Sequence, residues 1–327
     1  MKAVVSGGAG FIGSHLVRRL VDEGRQVAII DDFSRGSSAN LLDLGVELTD
    51  DVQIEKFDLR NGVNELSSMI AGADTVFHLA ARVGSVDYLH GSNLAELIAF
   101  QDNVRIDANV FDVCREVGVK KIVYASSVSV YPMNSQSSLG AIFSEKDMKY
   151  QNPDGGYGWA KLLGEYQLGL MKDTKISIAR IFSIYGPCAA LDETAQAIPA
   201  LIRKAVKYPT ENFVVWGTGR QSRDFTYVSD CADALLLLEK NAENPPFIAN
   251  VGTGASTSIG DIARRIVSIS GKAIPMRFDE NKTTGTVSRT SDTRKLLSLG
   301  WKPKVTLDEG LKLTYEWLEK RYRSERS

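Results

Sequence analysis

Cysteine and histidine are scarce in this chain, three of each in 327 residues. Cys114, Cys188 and Cys231 are scattered without metal-ligand spacing, and His15, His78 and His90 do not cluster. This argues against a disulfide framework and against a metal site, and predicts reduced thiols in a cytoplasmic protein. An excess of charge is missing too: 39 Lys and Arg stand against 40 Asp and Glu, a formal net charge of −1. Nothing in that balance attracts nucleic acid or an anionic membrane, so any phosphate must be held by local groups. No apolar run approaches the ~20 residues that span a bilayer. The N-terminus enters a strand directly, which predicts no signal peptide. Repeats, low-complexity linkers and a clean domain boundary are absent as well. What remains is an ordinary globular composition, 43% hydrophobic and 24% charged, long enough for one large domain or two intimate ones.

Glycine is concentrated near the start. Ser6-Gly7-Gly8-Ala9-Gly10-Phe11-Ile12-Gly13 follows the apolar run Ala3-Val4-Val5 and precedes a stretch in which Ile12, Leu16, Leu20 and Val21 share a helical face. Strand, glycine turn and helix together are the context of a dinucleotide-binding loop. Gly7 allows the tight turn, Gly10 lets backbone approach a pyrophosphate, and Gly13 lets the helix lie close on the strand. The helix start offers free N–H groups and a positive dipole end. The spacing is G-x-x-G-x-x-G, not the commoner G-x-G-x-x-G.

A second strand, residues 26–30, ends in Asp31-Asp32. A carboxylate ~20 residues beyond the loop can accept hydrogen bonds from an adenine ribose and repels a 2′-phosphate, which favours NAD over NADP. Arg35 nearby softens that exclusion. Further strands are predicted at 52–57, before Asp58 and Leu59; at 75–81, ending in Ala80 and Ala81; at 122–127, ending in Ser126-Ser127; and at 176–180. Helices separate them, notably at 93–116 and 157–171. This alternation predicts an α/β fold with a Rossmann-type, doubly wound parallel sheet covered on both faces. Ligands then lie at the carboxyl ends of the strands, where Asp31, Ala80, Ala81 and Ser127 fall.

Beyond Gly186-Pro187 the pattern loosens. Helices are predicted at 197–207, 230–240, 259–270 and 307–323, and strands at 213–216 and 247–251, with a polar, basic segment at 220–225. We expect a smaller, partly interleaved C-terminal substrate lobe. On this division residues 1–182, with 224–252 returning, bind the nucleotide, and residues 183–223 and 253–327 form the lobe that closes a cleft over the glycine loop.

Tyr157 and Lys161 stand four apart, on one face of a helix. A free tyrosine, pKa ~10, is too weak a base at neutral pH. A neighbouring ammonium and a positive nicotinamide favour the phenolate, and Tyr157 can then take a proton from a substrate hydroxyl. Ser127 can hydrogen-bond the same hydroxyl, and Lys161 can hold the nicotinamide ribose. Arg82, just past Ala81, can reach an anionic substrate or serve structure. His15 and His78 read as packing or capping residues, and Trp301 as lobe packing.

With these motifs in place, the chain resembles the extended short-chain dehydrogenase/reductases of the nucleotide-sugar epimerase/dehydratase type. GGAGFIG, IIDDFS, DLR, HLAA, YASSVSVYP, YGWAK, ARIFSIYGP, WGTGRQSRDFTYVSD, NVGTG and LGWKP carry the resemblance. It implies tightly held NAD, a nucleoside diphosphate sugar in the cleft, a transient keto-sugar, and a homodimer built through the two long helices. It implies cofactor contacts from Gly7, Gly10, Phe11, Ile12, Gly13, Asp31, Asp32, Ser34, Asp58 (near the adenine), Leu59, Leu79, Ala80, Ala81, Tyr157 and Lys161. Ser127, Tyr157 and Lys161 become the catalytic triad. Ser85, Ser127, Ser129, Ser183, Arg223 and Arg289 become substrate contacts, with Arg223 gripping the diphosphate through a guanidinium fork. Arg289 and Asp292 match nucleotide-contact positions.

The departures narrow the reaction. The family's dehydratases place Asp-Glu directly after the catalytic hydroxyl and its decarboxylases a glutamate, whereas this chain has Val128-Ser129. Local spacing is similar to UDP-sugar 4-epimerases and GDP-mannose 3,5-epimerases. The cysteine and lysine that move protons in the latter correspond to Ser129 and Asp192. Ser183 stands where relatives often have asparagine, and Thr283-Thr284 where many have arginine. The expected function is therefore epimerisation of a nucleoside diphosphate sugar at C4, through a 4-keto-sugar with hydride returned. The alternatives are a GDP-sugar 3,5-epimerase-like or reductase activity, and a nucleotide-binding scaffold without catalysis.

Overall fold

The computed structural model describes residues 1–324 apart from Ser137, Leu139 and Thr283. Strand β1 (Lys2–Ser6) runs through the glycine turn into α1 (Phe11–Asp22). There follow β2 (Gln26–Asp31), α2 (Ser38–Asp43), β3 (Val52–Lys56), α3 (Val63–Ile70) and β4 (Thr75–His78), then α4 (Val86–His90), α5 (Asn93–Glu116) and β5 (Lys121–Ser127). The short β6 (Ile142–Phe143) precedes α6 (Gly155–Leu170) and β7 (Lys175–Ile181). Next come β8 (Ser183–Tyr185), α7 (Ala197–Lys207), β9 (Val214–Trp216), β10 (Ser222–Tyr227), α8 (Val228–Lys240), β11 (Phe247–Val251) and β12 (Ser256–Ser258). The chain continues through α9 (Ile259–Ser270), β13 (Arg277–Asp279), β14 (Ser288–Ser291), α10 (Arg294–Ser298) and α11 (Leu307–Ser324).

Seven strands form one sheet in the order β11-β7-β5-β4-β1-β2-β3, and every pairing in it is parallel. The expected doubly wound α/β sheet is therefore present. Its strand order reverses between β1 and β4, where a crevice opens at the carboxyl ends. Each face has its own apolar core. On one side Leu16, Val17 and Leu20 of α1 meet Leu235 and Leu238 of α8. On the other, Leu66 and Ile70 of α3, Val110 and Val113 of α5 and Leu168 of α6 pack together. Strands buried on both faces read as the continuous apolar runs seen in the sequence.

A second sheet runs β12-β10-β14-β6, with β8 also on β10, and a third pairs β13 with β9. Helices α7, α9 and α11 share a separate core, with Ile202, Ile262, Ile266 and Leu311 at its centre. The segment expected only to be polar and basic is β10. Its charges hide the strand pattern: the buried Asp224 carboxylate accepts from the backbone N–H groups of Thr253, Gly254 and Ser291. The chain leaves β10 and re-enters the large sheet through α8 and β11.

Candidate active site

The glycine loop lies at the crevice. Gly7 has φ +71 and packs so closely on the end of β4 that a Cβ there would stand 2.9 Å from the Ala80 backbone. A Cβ on Gly13 would collide with the Gly7 carbonyl oxygen, so α1 can start this close to β1 only with glycine at that position. Gly10 is the N-cap of α1 and no side chain caps it, leaving first-turn N–H groups facing out. Asp31 ends β2, and its carboxylate accepts from Ala9 N–H at 3.0 Å and from Phe33 N–H at 2.9 Å. Burial pushes its pKa up against these bonds. A bare helix start, a glycine cradle and a strand-end carboxylate fit a dinucleotide's pyrophosphate and ribose.

The other candidate cofactor positions ring the same end of the sheet. Asp32 accepts from Ser34 N–H and hydroxyl. Asp58 is chelated by Arg60 at 2.7 Å, which holds its carboxyl below the usual range, and Leu59 is buried. Leu79, Ala80 and Ala81 are partly buried just beyond β4, as are Phe11 and Ile12 at the start of α1. Arg35 and Arg82 both stack on the Tyr88 ring, and Arg82 also pairs with Asp102 at 3.6 Å.

The catalytic candidates converge from β5 and α6. The Ser127 hydroxyl, at the last residue of β5, accepts from Ser129 N–H at 3.1 Å and is close enough to Tyr157 to favour its phenolate. Helix α6 can pack against the turn after β5 because a Cβ on Gly158 would clash with the Ser129 carbonyl oxygen. Tyr157 and Lys161 are both buried one turn apart. The sequence suggested a phenol made acidic by a neighbouring ammonium. In the protein alone the direction is reversed: burial pushes Tyr157 up, and Asp107 and Asp154 add to this, with Ser127 opposing. Burial also pushes Lys161 down, with Asp107 and Glu165 opposing. Among the described residues the Lys161 Nζ has no hydrogen-bond partner, and it stands 4.5 Å over the Tyr124 ring. A buried, unpartnered Nζ beside the crevice fits a ribose hydroxyl.

On the substrate side, Arg223 on β10 and Arg289 on β14 are neighbours in register. Arg289 donates to Gln136 Oε1 at 2.6 Å and pairs with Asp154, which also accepts from the Ser129 hydroxyl at 3.3 Å. Burial alone would raise the Asp154 pKa, but the Arg289 guanidinium outweighs it and holds the carboxyl below the usual range. Among the described residues Arg223 has only carbonyl partners, Ser222 at 2.7 Å and Thr284 at 3.3 Å. Burial first and Arg289 second push its pKa down to about 9. Ser129, Arg223 and Arg289 thus share one wall near the triad. Ser85 caps α4 and donates to the Glu193 carbonyl, and Ser183 lies on β8 opposite Phe225. Asp192 turns onto Thr194 on an exposed loop, and Asp292 onto Arg294. Thr283 lies outside the described residues. Among the described residues there is no cluster that could hold a metal ion and no helix long and apolar enough to cross a membrane.

Sequence reasoning missed Asp107, Tyr124, Asp154 and Glu165. The signal for Asp107 is its place on α5: Ala99, Asn103, Asp107 and Val110 are buried at helical spacing, so an acid sits where the period calls for an apolar residue.

Comparison with known proteins gives consistent matches. The model of the NAD dependent epimerase/dehydratase family matches residues 3–252. The chain is 30% identical over 335 residues to GDP-mannose 3,5-epimerase of Arabidopsis thaliana, covering 100% of this chain and 84% of that protein. It is 32% identical over 329 residues to UDP-N-acetyl-alpha-D-glucosaminuronate decarboxylase of Bacillus cytotoxicus, covering 97% of each. Its fold is similar to the crystal structure of UDP-glucose 4-epimerase with UDP-glucose from Thermotoga maritima. The TM-score is 0.86 at 26% identity, over 98% of this chain and 100% of that one.

Proposed function

Since the chain belongs to the NAD dependent epimerase/dehydratase family, we propose that it epimerises a nucleoside diphosphate sugar at C4 through a transient 4-keto-sugar. The supporting observation is that, among the described residues, no uncommitted acid or base accompanies the triad. Val128 and Ser129 follow Ser127, and the nearby Asp154 carboxylate is engaged by Arg289 and Ser129. Elimination of water, decarboxylation and proton exchange at C3 or C5 each need a further group; C4 chemistry does not.

When bound, NAD supplies reversible acceptance and donation of hydride at the sugar carbon. Tyr157 takes the proton of the C4 hydroxyl as general base and returns it as general acid. Ser127 hydrogen-bonds the same oxygen and holds it in place. The Lys161 ammonium stabilises the Tyr157 phenolate and offers its free donors to the nicotinamide ribose. Arg223 grips the diphosphate, which supplies the countercharge that this guanidinium lacks. Gly7, Gly10 and Gly13 seat the pyrophosphate, and Asp31 faces the adenine ribose.

The proposal extends to a cytoplasmic homodimer. Leu94 and Leu97 on α5 and Trp159, Leu163 and Tyr166 on α6 are exposed. A second copy of this face would cover them.

Incubation with UDP-, GDP-, CDP- and dTDP-sugars in D₂O, read by mass spectrometry and NMR, tests the reaction. An epimer free of carbon-bound deuterium is expected. Deuterium at C3 or C5 would replace the proposal with the 3,5-epimerase alternative. Turnover of no sugar in the panel would favour the scaffold alternative.

A further inference from the structure

A chain of buried polar groups runs behind the site. The Ala80 N–H donates to Ser6 Oγ at 3.4 Å, and Ser6 Oγ lies 2.6 Å from His78 Nδ1. His78 Nε2 lies 3.0 Å from one Asp107 oxygen, and the Tyr124 hydroxyl donates to the other at 2.5 Å. Lys161 Nζ stands over the ring of that same Tyr124. The four side chains are buried and come from β1, β4, α5 and β5.

We infer that Asp107 is the countercharge that keeps the buried Lys161 side chain an ammonium, which makes it a positioning residue for the site. Among the described residues, the titratable groups around Lys161 are Tyr157 and Glu165 on its own helix, Tyr124 on β5, Asp107 on α5 and His78 on β4. Only two of these are carboxylates. Glu165 is held bidentately by the Arg180 guanidinium at 2.7 and 3.0 Å and accepts from Ser126 at 2.5 Å, so its charge is locally matched. Asp107 has no cation among its hydrogen-bond partners. Its partner Tyr124 is a neutral phenol, and burial pushes His78 down to the neutral imidazole. Neutral His78 satisfies every link: Nε2–H donates to Asp107 while Nδ1 accepts from Ser6. Asp107 and Lys161 meet on the same Tyr124 side chain, the carboxylate at its hydroxyl and the Lys161 Nζ over its ring, whose face itself favours a cation. The inference gives Lys161 the charge that the proposed function requires of it, and to that extent rests on that function.

The test is the titration of Lys161 in the purified protein, followed by NMR of lysine labelled with ¹³C at Cε and assigned with Lys161→Met. In the natural protein Lys161 is expected to be an ammonium at pH 7. In Asp107→Asn, which keeps the shape and can still accept from Tyr124, its midpoint is expected to fall by about one pH unit. Ser6→Ala, which cuts the far end of the chain, is expected to leave the midpoint in place. Both limbs of the pH–turnover profile should move to lower pH in Asp107→Asn, because Tyr157 also loses a neighbouring negative charge. If Asp107→Asn does not fold, Asp107→Thr keeps a hydroxyl acceptor for Tyr124 and removes the charge. A Lys161 that is neutral at pH 7 in the natural protein, a midpoint unmoved in the Asp107 variant, or an equal shift in Ser6→Ala would each overturn the inference. The titration reads the protein whatever its substrate, so failure to find an epimerase activity would sink the proposed function and leave this result standing.

Discussion

Arg223 and Arg289 sit opposite each other in register on parallel strands, yet only Arg289 has a carboxylate partner among the described residues. A partly buried guanidinium whose hydrogen-bond partners among the described residues are carbonyls alone can still take an anion. Arg223→Ala is therefore expected to weaken binding of a nucleoside diphosphate roughly 10- to 100-fold, the range for a lost hydrogen bond to a charged group. NAD affinity should be unchanged. Calorimetric titration with UDP and GDP checks this, and equal loss for NAD would contradict it.

On the proposed mechanism Tyr157 makes its difference in the chemical step. Tyr157→Phe removes one hydroxyl from a packed site and should leave the melting temperature close to that of the natural protein. It should lower kcat by roughly 10²- to 10⁴-fold, the usual worth of a positioned general base. A Phe variant that retains turnover would remove the tyrosine from the mechanism.

The large sheet, the glycine loop and the Ser127–Tyr157–Lys161 group were legible because each rests on local pattern: apolar runs, glycine spacing, and a four-residue interval on one helix face. The strand carrying Arg223 was not, since Asp224 is a charged residue buried by partners as distant in sequence as Ser291. The electrostatics were legible only in part. A positive neighbour for Tyr157 could be inferred from spacing, but the burial that raises its pKa, and the acids Asp107 and Glu165 around Lys161, depend on how α5, α6 and the sheet pack.

His15 gives a stability prediction. Its ring is buried with Nε2 at 3.1 Å from the Pro187 carbonyl oxygen, and burial pushes its pKa down to about 4 from 6.5. The unfolded chain therefore binds more protons than the folded one below pH 6.5. Stability is lost as pH falls through that window, by roughly 2 kcal/mol at pH 5. His15→Gln can still donate to Pro187 but does not titrate. Thermal melts at pH 7 and pH 5 should show a smaller drop for the variant than for the natural protein; equal drops would mean that other groups dominate.

The exposed apolar face of α5 and α6 bears on assembly. Tyr166→Glu places a charge in the middle of that face and should convert a dimer to a monomer in sedimentation equilibrium. A natural protein that sediments as a monomer would refute the proposed assembly at once.

Strand β11 reaches its neighbour β7 only after the chain has built β8 to β10 and α8 elsewhere. Until residue 251 has been synthesised, the Lys175–Ile181 edge of the large sheet has no strand to cover it. A ribosome-bound chain that has emerged only as far as β7 would carry an open, apolar sheet edge, the kind of surface on which other strands add. Most of the nucleotide-binding sheet lies early in the sequence, but its completion is a late event in synthesis. Folding of the two halves is therefore tied together in time, and a protein cut after β7 would be prone to aggregate, not a free-standing nucleotide-binding domain.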